Sequence, residues 1–465
     1  MFLLLSDQVI RVIMGQFIGQ HASKRYLSMI NACDSRFFKS PHEELINDTI
    51  KEKKEQTPQL VDESDGQKSN TNFKRPEYSL SVAHTLSVAS KLAYEDVAVV
   101  KYELEKAGFL VEKTFKPIGY KNACAYIIEK DNDIMLVFRG TNPLNIQNYV
   151  TNIDAGLANI MSSKNHSMGK VHKGFWDAMG ATEAIEIQGN NTSISSIHVD
   201  LSHVSFYKSI STAFLGIIRI LKALSFNIFA NVIDPIDASW AGYDSAIIRH
   251  QSLYSQSEKY ILELFKSMND DEGKKKLYIT GHSLGGALAT VFVAKMIQTD
   301  SVLLDYFAGL YTYGQPNIGD KDFSKSFSSD ITCKIFNHVY NNDVIPRIPP
   351  WYSPPPGTLV FIDSSYKISI YPPNQLTQDP VPMRSISYLH LSGLLNKHVI
   401  RRLKSESALR VLFRILLPFF LNDHFPSDYC DALLMGDVEW IILGENEGGT
   451  DYVDDRYNKK GLKKI

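Results

Sequence analysis

The chain has 465 residues, 49 Lys+Arg against 51 Asp+Glu, and a formal net charge of −2. With 44% hydrophobic and 22% charged residues, it is neither mainly disordered nor collagen-like, and it is long enough to bury a large core. The balanced charge offers no field for nucleic acid. The four cysteines, Cys33, Cys124, Cys333 and Cys430, form no C-x-x-C pair, which argues against a disulfide scaffold or a thiolate zinc site and reads as free thiols in a reducing compartment.

In chain order, residues 1–48 read as a helical extension. Asp7, Gln8 and Arg11 interrupt its apolar start, and no basic region precedes it, so a cleavable signal peptide is not expected. Its first 30 residues are a candidate anchor. Residues 49–75 hold 11 charged residues and only Ile50, Leu60, Val61 and Phe73 as large apolar ones; they read as a flexible linker. A globular domain is expected over 76–443 and a polar tail over 444–465. Ala123 to Ile128 and Ile134 to Phe138 read as a strand hairpin. Within an insertion at 180–242, the segment 206–233 places Phe214, Ile217, Ile218, Leu221, Leu224 and Ile228 opposite Lys208, Arg219 and Lys222. That is an amphipathic helix for a bilayer or droplet surface, as a lid or an interfacial anchor, or equally one packed on the protein's own core. Leu277 to Thr280 is a short strand, Ala287 to Met296 a helix, and Gly309 to Tyr313 and Lys334 to Tyr340 further strands. Short strands between longer helical patterns predict an α/β sheet covered on both faces. Arg401, Arg402, Lys404, Arg410 and Arg414 against Glu406 form a basic stretch, either a contact for anionic headgroups or a solvated helix face.

Between the strand at Leu277 and the helix at Ala287 lies GHSLGGALA, Gly281 to Ala289. This is G-x-S-x-G in the strand–turn–helix context that the motif needs. Small residues two before and two after Ser283 let the backbones pass closely. The helix start behind the serine offers unpaired N–H groups to a developing oxyanion, and the amide of Leu284 is one expected donor.

This segment resembles the nucleophile elbow of the class 3 lipases, a family with the α/β-hydrolase fold. Five further blocks resemble that family in the same order: VFRGTNP (137–143), VHKGFWDAM (171–179), LYTYGQPNIGD (310–320), HVYNNDVIPRIPP (338–350) and NDHFPSDY (422–429). The last two, with the long C-terminal part, look like the plant-type triacylglycerol lipases of oil bodies. The expected fold is therefore an α/β-hydrolase, a mostly parallel central sheet with helices on both faces, plus a helical insertion and an N-terminal extension.

A serine nucleophile needs a base, and the base an orienting carboxylate, in the chain order Ser, acid, His. Asp343 follows the strand ending at Tyr340 and matches the acid block; Asp305, Asp320, Asp322 and Asp330 fall in helix-end or turn contexts. Among His338, His390, His398 and His424, only His424 lies in a polar loop beside an apolar run, and it matches the histidine block. His282 reads as packing or orienting. The resemblance implies that Thr141, after Arg139-Gly140, supplies the second oxyanion donor. Where the family carries Asp-Trp, this chain has Asn148-Tyr149.

The expected activity is hydrolysis of lipid esters, triacylglycerol first, through Ser283, Asp343 and His424 at a lipid–water interface, with no cofactor or metal and no nucleic-acid partner. A phospholipase A1 or a mono/diacylglycerol lipase would carry the same triad, and a silent lipase-like binding module remains the alternative of another class. The expected partner is a membrane or droplet surface, on its cytoplasmic face, with export left open. Oligomeric state is not legible.

Overall fold

Apolar strands of four to eight residues, spaced by helices, assemble as a layered α/β structure. The computed structural model describes residues 21–25, 27–32, 34–38, 78–120, 123–130, 133–140, 156–164, 166–180, 240, 251–267, 275–371, 410–411, 414 and 422–440. The 49–75 and 444–465 segments, the 206–233 helix, Thr141, His390 and His398 lie outside them.

After a single helical turn at Met29–Ala32 come helices α1 (Leu80–Leu92) and α2 (Val97–Lys106). The side chain of Ser79 accepts from the Val82 amide and that of Asp96 from the Ala98 amide, satisfying donors that a helix start leaves unpaired. Strands β1 (Lys116–Tyr120), β2 (Ala123–Lys130) and β3 (Asp133–Phe138) form an antiparallel meander. Strands β4 (Leu157–Met161) and β5 (Ser167–His172) pair as a separate antiparallel ribbon. Helices α3 (Lys173–Met179) and α4 (Leu253–Ser267) lead to strand β6 (Lys276–His282), helix α5 (Leu284–Thr299), and strands β7 (Phe307–Tyr313), β8 (Ile335–Tyr340), β9 (Thr358–Ile362) and β10 (Lys367–Tyr371). Helix α6 (Pro426–Met435) and strand β11 (Asp437–Trp440) close the described chain.

The large sheet has the order β1-β2-β3-β6-β7-β8-β9-β10-β11. Its centre, β3, β6, β7, β8 and β9, is parallel. Central parallel strands are buried on both faces and so read as continuous apolar runs; every residue of β8 is buried. Alternate side chains feed two cores. Leu136, Phe138, Ile279 and Leu310 face α4 and α5, while Val137, Tyr311, Tyr313 and Phe336 face α1 and α6. Phe292 of α5 packs its ring 5.8 Å from Phe138 and 5.0 Å from Tyr254, a burial worth about 1.5–3 kcal/mol.

Register places the chemistry. Phe138 pairs with Gly281, Gly281 with Thr312, and Thr312 with Asn337. The C-terminal ends of β6, β7 and β8 therefore open on one edge of the sheet, which is where open α/β sheets bind ligands.

The N-terminal part is tied to this body. Ser28 and Asn31 donate to the buried Glu95 carboxylate, and Asn31 Nδ2 also reaches Lys91 O at 2.9 Å. Of the 180–242 insertion, Trp240 is buried and donates through Nε1 to Glu95 O at 3.0 Å. Among the described residues, no helix is long and apolar enough to cross a membrane.

Candidate active site

Ser283 joins β6 to α5 with φ +57° and ψ −128°, a conformation that costs a non-glycine residue on the order of 1–3 kcal/mol. Its surroundings impose it. The Ser283 amide donates to Tyr313 O at 2.8 Å, and Ser283 O accepts from the Gly286 amide at 3.0 Å. A Cβ on Gly281 would lie 2.3 Å from the Gly285 backbone, and one on Gly285 would lie 2.3 Å from Phe138 O. Only residues without a Cβ let helix and strand close on the serine. Leu284 is the first residue of α5, where backbone donors have no acceptor within the helix and the positive end of its dipole lies.

The three residues distant in sequence meet here. His424 Nε2 lies 2.9 Å from Ser283 Oγ, and His424 Nδ1 lies 2.8 Å from Asp343 Oδ2. A carboxylate only accepts, so Nδ1 carries the proton and Nε2 offers its lone pair to the Ser283 hydroxyl. All three are buried, Asp343 at 0% exposure. The Asp343 carboxylate is fully engaged: the Ile345 amide donates to Oδ1 at 2.9 Å, and Tyr429 Oη lies 2.6 Å from Oδ2. Because Tyr429 Oη accepts from the Tyr340 amide at 3.1 Å, its own proton points to Asp343. Burial and the Asp343 charge push the Tyr429 phenol well above its ordinary value.

The loop holding His424 is fastened on several sides. His282 Nε2 donates to His424 O at 2.9 Å, and its Nδ1 accepts from Tyr94 Oη at 2.8 Å. Burial, then the neighbouring His424, holds His282 well below its ordinary value, in keeping with a neutral ring. Arg410, 1% exposed, donates to Asn422 Oδ1 and Asn422 O at 3.1 Å each and stacks 4.1 Å from the Phe425 ring. Both Arg410 and Arg414 bind the buried Asp428 at 2.9 Å. The basic stretch read from 401–414 is therefore corrected at these two positions. They face inward, because Asp428, 18 and 14 residues downstream, pairs with both inside the protein.

Asp305 and Asp330 lie in first turns of short helices, and Asp320 caps another while accepting from the Lys170 amide. His338 is a strand residue bonded to Thr312 O and Tyr78 Oη, and burial lowers it to about 3. Sequence reasoning passed over Tyr429, Asp423, Asp428 and Tyr94. One signal was visible: two carboxylates, Asp423 and Asp428, flank His424 just after the apolar run that ends at Leu421. Among the described residues no group of three or more His, Cys, Asp or Glu is placed to hold a metal ion.

Comparison with known proteins gives consistent matches. The family profile for Lipase (class 3) matches residues 135–353. The chain is 28% identical over 396 residues to triacylglycerol lipase OBL1 of Ricinus communis, covering 79% of this chain and 67% of the relative. It is 26% identical over 341 residues to triacylglycerol lipase OBL1 of Nicotiana tabacum, covering 66% of this chain and 56% of that one. The chain thus spans about three fifths of the length of these relatives. A Rhizomucor miehei lipase–propeptide complex aligns at 18% identity and a TM-score of 0.35, covering 63% of this chain and 72% of that one.

Proposed function

We propose that this chain, which matches the class 3 lipase profile over residues 135–353, hydrolyses lipid esters through Ser283, with triacylglycerol as the substrate. The observation that carries the reading is the hydrogen-bonded chain from Ser283 Oγ through His424 to Asp343.

The chemistry follows from that geometry. His424 Nε2 takes the hydroxyl proton while Oγ attacks the ester carbonyl, and Asp343 stabilises the imidazolium through Nδ1–H. The carbonyl oxygen becomes an oxyanion beside the start of α5, where the Leu284 amide donates to it, with Thr141 as the proposed second donor. His424 returns the proton to the departing alcohol and leaves an acyl-enzyme. Water, deprotonated by the same imidazole, then releases the fatty acid and restores Ser283.

Ser283 and His424 are both buried, which supports a site that takes its ester from a lipid surface and not from bulk water. Peripheral contact with a droplet or membrane through 206–233 belongs to the same proposal. Triacylglycerol as substrate leans on the names of the Ricinus and Nicotiana relatives.

The test joins labelling to substrate profiling. A fluorophosphonate probe is expected to label wild type and not Ser283→Ala, and fatty acid release is expected to be fastest from a triacylglycerol emulsion. Folded wild type that stays unlabelled and inactive makes the chain a binding module. Faster release from phosphatidylcholine vesicles makes it a phospholipase.

A further inference from the structure

We propose that Asp423 is a positioning residue, a carboxylate latch that ties the loop bearing His424 to the loop bearing Asp343 and sets the contact between base and acid. The proposal rests on the reading of Ser283, His424 and Asp343 given above.

The geometry is direct. Asp423 Oδ2 accepts from Asn341 Nδ2 at 2.9 Å and from the Asn342 amide at 3.1 Å. Asp423 immediately precedes His424, and Asn341-Asn342 immediately precede Asp343. The latch thus lies one residue from each partner of the 2.8 Å bond between His424 and Asp343. No covalent neighbour links these loops, whose bonded residues are 81 apart in sequence. Arg347 closes the acid loop from the other side, through Nε to Asp343 O at 2.9 Å and Nη2 to Asn341 O at 2.6 Å. Asn341 holds φ +42°, a conformation asparagine accepts more readily than most residues.

The charge on the latch matters. Asp423 is 4% exposed. It faces Asp343 and Arg347 from the acid loop, Asp428 and Tyr429 from α6, and Arg414 from the segment before it. Burial, then Asp428, raises its carboxyl to about 7, with Asp343 adding to the rise and the Asn342 amide and Arg414 opposing it. The latch therefore passes from neutral to ionised near neutral pH. An ionised acceptor makes bonds about twice as strong as a neutral one, so ionisation tightens the hold of the latch on Asn341 and Asn342.

Stability runs the other way. The folded value lies above the ordinary 3.8, so this group's contribution is complete below about pH 4 and is lost as pH rises through about 7. The ionised latch serves turnover at the expense of stability, whereas a merely structural hydrogen bond would serve stability alone.

The experiment uses the full chain and a soluble short-chain p-nitrophenyl ester, with kcat, KM and Tm measured from pH 4 to pH 9. For Asp423→Asn, kcat at pH 8 is expected to fall about tenfold with KM within about twofold. The acid limb of log kcat is expected to change from two protons to one. Its Tm is expected to exceed that of wild type above pH 7, by a gap that closes near pH 4. A wild-type kcat and an unaltered acid limb in this variant overturn the latch. If it does not fold, Asn341→Gly keeps the positive φ and removes one donor. An approximately threefold lower kcat supports the latch, and a wild-type kcat–pH profile overturns it. Ser283→Ala separates the two readings. Retained turnover there defeats the hydrolase reading itself, whereas a dead Ser283→Ala beside an unchanged Asp423→Asn defeats only the latch.

Discussion

The serine elbow and the base–acid junction hold reacting groups by opposite means. At the elbow the backbone does the positioning. Ser283 is fixed by a strained φ/ψ pair, two glycines without room for a Cβ, and amide bonds to Tyr313 and Gly286. At the junction, side chains do it: Asp423 from the loop of His424 itself, Tyr429 from α6, His282 from β6 and Arg410 from upstream hold His424 and Asp343. A backbone device is local and survives change nearby. A side-chain network is long-range and fails by parts, because each buried polar group depends on its partner.

That contrast can be broken by substitution. The largest effect falls on the chemistry both regions share. Ser283→Ala is expected to lower kcat on the order of 10⁶-fold with Tm unchanged, and Asp343→Asn about 10⁴-fold. An active Ser283→Ala would remove the serine from the reaction. Next comes the network anchor. Arg410→Met removes a buried guanidinium that binds Asp428 and is expected to cost about 3 kcal/mol in urea unfolding, the low end for a broken buried pair. A cost under about 0.5 kcal/mol would place Arg410 among dispensable surface charges.

Gly285→Ala probes the elbow. Its Cβ would meet Phe138 O at 2.3 Å, and the forced backbone shift is expected to cost about 1–3 kcal/mol and to slow fluorophosphonate labelling. Unchanged labelling would mean that the turn yields more easily than its contacts suggest. The smallest effect is expected at the junction. Tyr429→Phe removes one donor from Asp343 Oδ2 and the acceptor that the Tyr340 amide uses. It is expected to cost about 1–2 kcal/mol of stability and to lower kcat several-fold. A loss as large as that of Asp343→Asn would make the phenol as important as the carboxylate.

The same contrast explains what could be read from the sequence. The β2–β3 hairpin, β6, α5, β7 and β8 were legible, because apolar runs and the glycine-flanked serine are local signals. Chain order and the quoted blocks singled out Asp343 and His424, and the structure brings both to Ser283. The side chains that hold them were not legible. Asp428 pairs with Arg410 and Arg414 from a different element, so the run at 401–414 looked like an exposed cationic face. Tyr429 and Asp423 stood in a block read only for its histidine. Strand order beyond the parallel centre, with β10 and β11 added past β9, depends on pairing that no local pattern encodes.

Glu95 shows where the protein can be cut. Its carboxylate is wholly buried, and three of its hydrogen bonds come from Ser28 and Asn31, far upstream of the stretch the family profile covers. A fragment begun at residue 76 would strip those donors from an acid group that the intact protein buries. Recombinant boundaries drawn at the apparent start of the globular region would yield a weakened body, so the upstream peptide is better treated as a built-in brace than as a disposable leader.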